Sequence, residues 1–132
     1  MRAPILKQGK FLIASLQGGS SDLDLRDLRD ELMAAVRRHR AAGVILDVAL
    51  LDVLDSFAAR MLRGIAHGTK LLGAETVVVG IQPEVAFAMV QLGLTLSGIA
   101  TALDLEEGLV LLHSLERRQR CGPGPGPRPA AL

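Results

Sequence analysis

Aromatic side chains are scarce in this 132-residue chain, which has no Trp, no Tyr and three Phe. Without a row of flat rings there is no stacking platform for single-stranded nucleic acid. Cysteine occurs once, as Cys121, which excludes an internal disulfide framework and a Cys-rich zinc centre. His39, His67 and His113 stand far apart, with none of the close pairings that hold a metal ion. No metal and no other cofactor is expected. A charge excess is missing as well: 15 basic against 14 acidic residues leave a net charge of +1, too little to steer the chain toward nucleic acid or a membrane surface. The opening Met1-Arg-Ala-Pro-Ile-Leu-Lys lacks an apolar core followed by a small-residue cleavage site. The charge-free run from Val85 to Leu103 has about the length of a membrane span, but Gln91, Gly93, Thr95, Ser97, Gly98 and Thr101 interrupt it. It reads as a buried helix with Val85, Met89, Leu92 and Leu96 on one face, then a loop and a short strand. The expected location is the cytoplasm.

Apolar residues make up 49% of the chain and its mean hydropathy is +0.34, which excludes disorder over most of the length. The size fits one domain. Residues 1–115 hold 11 basic and 13 acidic groups, and residues 116–132 hold 4 and 1. The body is therefore mildly acidic, and the basic surplus sits at the end. Arg117, Arg118 and Arg120 there read as cations at a helix C-terminus, where they complement the dipole.

Along the chain, Ile5-Leu6 and Phe11 to Leu16 form a hairpin that ends at Gln17-Gly18-Gly19. Ser20 or Ser21 caps a helix with Leu25, Leu28, Leu32, Ala35 and Val36 on its apolar stripe. Asp22, Asp24 and Asp27 load its start, and Arg37, Arg38, His39 and Arg40 its end. Val44 to Val48 reads as a buried central strand. After a polar break from Asp52 to Ser56, a second helix runs from about Phe57 to Leu72, with Phe57, Ala58, Met61, Leu62, Ile65 and Leu72 facing inward. Thr76 to Ile81 is the next strand, and Pro83 opens a third helix. Ile99 to Leu103 is a weak last strand, and Asp104 caps a fourth helix through about Arg118. Residues 119–132, rich in Gly and Pro, are expected to be a disordered tail, leaving residues 1–118 as the domain. The order β-β-α-β-α-β-α-β-α calls for an α/β fold. Its sheet should be mixed and mostly parallel, with four to five strands and about four helices.

Chemistry-bearing patterns are few. There is no phosphate-binding Gly-x-x-x-x-Gly-Lys signature, and the Gly18-Gly19-Ser20-Ser21 turn is a common way to start a helix. Asp47, Asp52 and Asp55 gather around one strand-to-helix connection, at the edge where parallel sheets place their sites. Ser56 stands with them, in the position of an N-cap for the second helix. A phosphate on Ser56 would add about −1.5 to −2 charges. The helix dipole favours that charge, while the nearby acids make it a large change in the surface offered to a partner. An enzymatic phosphoryl-transfer reading through Asp47, Asp55 and Ser56 lacks both a phosphate cradle and a cationic partner. No catalytic residue is assigned, and the chain is read as non-enzymatic.

Three segments carry a resemblance over roughly residues 4 to 115: Asp52-Val-Leu-Asp-Ser56-Phe57, Thr76 to Ala86 running on to Gln91-Leu-Gly-Leu94, and Thr101 to Leu109. They are similar to STAS domains, and most of all to the single-domain scaffold type found in stressosomes. The resemblance implies the STAS fold and a phosphorylated serine at Ser56, with Asp52, Asp55 and Phe57 facing the kinase. It implies a scaffold that self-associates and co-assembles with sensor-bearing STAS paralogues. That assembly would hold a serine/threonine switch kinase, release it on phosphorylation in a stress response, and be reset by a cognate phosphatase. A free-standing anti-anti-sigma factor that captures an anti-sigma kinase is the alternative. Neither reading involves nucleic acid or membrane. The high apolar content fits a surface partly covered by sister domains.

Overall fold

The computed structural model describes residues 5–17, 21–51, 54–93, 96 and 98–121. Their elements are β1 (Ile5–Gln8), β2 (Phe11–Gln17), α1 (Asp22–His39), β3 (Gly43–Leu50), α2 (Ser56–Leu71), β4 (Glu75–Val79), α3 (Pro83–Gln91), β5 (Ala100–Ala102) and α4 (Leu105–Cys121). The five strands lie side by side in chain order. β1 runs antiparallel to β2, and the remaining pairs, β2–β3, β3–β4 and β4–β5, are parallel. This is the mixed, mostly parallel sheet that the alternation of elements predicts.

Strand alternation divides the core in two. Leu12, Ala14 and Leu16 of β2, Val44, Leu46 and Val48 of β3, and Val78 of β4 point to one face. There they meet Leu25, Leu28, Leu32 and Val36 of α1, Leu62 and Ile65 of α2, and Val85 and Met89 of α3. Phe11, Ile13, Ile45, Val77 and Val79 point to the other face, where Leu112 of α4 covers them. Gly108 lets α4 come close, because a Cβ there would sit 2.7 Å from Val79 Cγ1. Phe11 meets His113 edge-on at 4.9 Å, and Lys10 pairs with Glu116 at 2.9 Å, fixing α4 along its length.

Some expectations needed correction. Leu72, expected on the inner face of α2, is the C-cap residue beyond the last turn and is 42% exposed. Gly73, at φ +91°, takes the backbone away from the helix at that point. The expected buried helix after Pro83 is only nine residues long and buries only Val85 and Met89. Leu92 is its C-cap, next to Gly93 at φ +70°, and is 71% exposed. α4 continues to Cys121, past the expected end near Arg118. Residues 122–132, the rest of the Gly/Pro-rich segment, lie outside the described residues, as do Gly18, Gly19 and Ser20 of the first turn.

Candidate functional site

The C-terminal end of β3 launches the candidate site. Gly80 follows β4 at φ +81°, and a Cβ there would stand 3.0 Å from Ala49 Cβ and 3.1 Å from Asp47 Oδ1. That is the close approach for which glycine is suited. Two residues on, Gln82 Nε2 donates to the Ala49 carbonyl at 2.6 Å. The Gly80-Ile-Gln-Pro stretch thus clamps the exit of β3. Leu51, just past β3, and Leu54, just before α2, are both buried.

At that start the structure reassigns two roles. Asp55, not Ser56, is the N-cap: its backbone is extended (φ −82°, ψ −179°), and its Oδ1 accepts from Ala58 N at 2.8 Å. Ser56 is the first helical residue. The expectation of a capping serine is therefore corrected by one position. Both residue types cap well, but the extended backbone angles fall on the aspartate. The consequence is chemical. Ser56 is exposed, and its hydroxyl makes no hydrogen bond among the described residues. Phe57 is half-buried, and the Arg26 guanidinium lies 5.8 Å from its ring centroid. Asp52 falls outside the described residues.

The proposed grouping of acids does not form in the way the spacing implied. Asp47 shares its strand face with Ile45, so its side chain lies on the α4 side of the sheet, opposite α2. Its Oδ1 accepts from Ala49 N at 2.9 Å. Asp47 and Asp55 are thus each engaged by a backbone N–H, on different faces. Among the described residues, no three His, Cys, Asp or Glu side chains are grouped to hold a metal ion, and no helix is long and apolar enough to cross a membrane.

Two cations near Ser56 escaped the sequence reading. Arg60 is four residues further on the same exposed face of α2, a spacing visible in the sequence. Arg26 reaches the site only through the packing of α1 on α2, and no local pattern announces it.

The result is a three-layer α/β domain with an exposed serine at the start of the helix that follows its central strand. The family model for the STAS domain matches residues 3–108, and the chain belongs to that family. A serine-to-glutamate variant of RsbS from Moorella thermoacetica aligns with a TM-score of 0.75 at 34% identity, over 88% of this chain and 98% of that one. A chain from a solved stressosome, a signal integration and transduction hub, gives a TM-score of 0.71 at 34% identity, over 87% of this chain and 100% of its own. RsbRD of Bacillus subtilis (strain 168), an RsbT co-antagonist protein, is 36% identical over 84 residues, 64% of this chain. This chain spans about 30% of the length of that relative. Its homologues are stressosome proteins of the RsbR and RsbS kinds.

Proposed function

We propose that the chain is a non-enzymatic stressosome scaffold that holds a serine/threonine switch kinase and releases it when Ser56 is phosphorylated. The single observation that carries this reading is the cap geometry. Asp55 caps the helix start, so Ser56 presents an exposed hydroxyl that makes no hydrogen bond among the described residues. In the reaction, Ser56 Oγ attacks the γ-phosphorus of ATP, the bond to ADP breaks, and the hydroxyl proton passes to a base of the kinase. The product gains about two negative charges beside Asp55, at a position where the helix dipole tolerates them. The fold should therefore survive the modification while the partner surface becomes more negative and more strongly hydrated.

Co-assembly with sensor-bearing STAS paralogues is supported by the likeness to RsbS, to the stressosome chain and to RsbRD. Phe87, Val90 and Leu92, which α3 leaves 67%, 76% and 71% exposed, supply apolar surface for such contacts. Asp55 and Phe57, with Asp52, are the proposed kinase-facing residues, and a phosphatase would reset Ser56. Mass spectrometry after incubation with ATP and the switch kinase encoded nearest to this gene tests the assignment. Phosphate is expected on the Ser56 peptide and absent from Ser56→Ala. Equal incorporation into Ser56→Ala would overturn it.

A further inference from the structure

The contact between Arg26 and Phe57 offers more than packing. Arg26 is exposed on α1, and its guanidinium is held over the ring of the residue that directly follows Ser56. Asp22 and Asp30, four residues to either side on α1, form no ion pair with it, and Asp30 instead accepts from Arg29 Nε at 3.1 Å. Among the described residues, Arg26 has the Phe57 ring and no carboxylate partner. Arg60, on the exposed face of α2 four residues beyond Ser56, has no ion pair among the described residues either. Helical side chains lean toward the preceding turn, so Arg60 extends in the direction of Ser56. Ser56 thus has one guanidinium four residues on along its own helix and another over the ring of its neighbour Phe57, and guanidinium is the side chain best matched to phosphate.

We propose that Arg26 and Arg60 are the internal readers of a phosphate on Ser56, and that Arg26 leaves the Phe57 ring to bind it. This inference rests on the phospho-switch reading of Ser56. A cation–π contact made by an exposed arginine is held weakly, whereas charge-assisted hydrogen bonds to a phosphate are among the stronger polar contacts. The exchange therefore favours the phosphate. It changes the partner surface twice: an anion appears at Ser56, and the Phe57 ring loses its cationic cover. A kinase that docks against Asp55 and Phe57 would meet an altered charge and an altered aromatic face together.

Phosphoserine installed co-translationally at position 56 of the full chain provides the probe, with no kinase present. Phosphorus NMR follows the second ionisation of the phosphate, and the Phe57 ring protons are recorded in the same samples. Asp55 beside it opposes the second ionisation and the two guanidiniums favour it, so the readout is the change when either arginine is removed. Arg26→Gln and Arg60→Gln should each raise the pH of that ionisation by about half a pH unit, and Arg26→Lys should raise it less. Phosphorylation should move the Phe57 ring resonances, and Arg26→Gln should move them in the same direction without phosphate. If the phosphate titrates identically with and without Arg26, or the Phe57 resonances ignore phosphorylation, the inference fails. These readouts are blind to kinase release. A phosphorylated chain that keeps its kinase would sink the switch reading while leaving the arginine readers in place.

Discussion

The starts of α1 and α2 use the same two residue types in opposite ways. At α1, Ser21 is the N-cap, and its Oγ accepts from Asp24 N at 3.1 Å while Ser21 N donates to Asp24 Oδ2 at 3.0 Å. Serine and aspartate are both spent on this reciprocal lock. At α2 the aspartate caps alone and the adjacent serine is left over. The first helix start is closed and structural, and the second is closed with one hydroxyl to spare. A single step in the order of capping residue and hydroxyl separates a structural serine from one available for chemistry.

The contrast is breakable, and the largest effect expected concerns Ser56 itself. Ser56→Ala should abolish phosphate incorporation while unfolding in urea within about 0.5 kcal/mol of the parent chain. Ser56→Pro should do the same, since proline is accommodated at the first helical position, and a large loss of stability there would show that Ser56 is structural after all. Removing the caps should do the reverse. Asp55→Ala and Ser21→Ala should each cost about 1 kcal/mol, measured as a lower urea midpoint at constant slope. Smaller again is the effect of phosphorylation on stability: a gain of about 0.3–1 kcal/mol from the helix dipole, read as an unchanged or slightly raised unfolding temperature.

The smallest effect lies in acid. The Ser21 N–H bonded to its carboxylate holds Asp24 below the usual carboxylate range. Its folded value lies under its unfolded one, so its contribution is present above the ordinary value of about 4 and is lost as pH falls through the folded value. Asp24→Asn should therefore show a stability deficit at neutral pH that shrinks below about pH 4. Asp24 is partly exposed, so salt should weaken the difference.

Much of the architecture was legible in the sequence. The apolar run Val44 to Val48 and the stripe of Leu25, Leu28 and Leu32 carry strong periodicities, and each lies in the element expected. The roles at the candidate site were less so. Asp55 and Ser56 are equally good caps by type, and helix boundaries shift by a residue without disturbing any pattern. The side of the sheet taken by Asp47 follows from its two-residue step from Ile45, a parity already present in the strand read from Val44 to Val48. Arg26 lies 31 positions before Phe57, and only the docking of two helices brings them together. The exposure of Leu72 and Leu92 escaped for another reason. Each continues its helix's periodicity by one residue after the glycine turn has begun.

Binding of the switch kinase to the unmodified chain and to the chain bearing phosphoserine at position 56, compared by isothermal titration under identical salt, bears most directly on the central claim. The kinase should bind the unmodified chain and be lost from the phosphorylated one, with Ser56→Ala binding like the unmodified chain. Equal affinity for the unmodified and phosphorylated forms would contradict it.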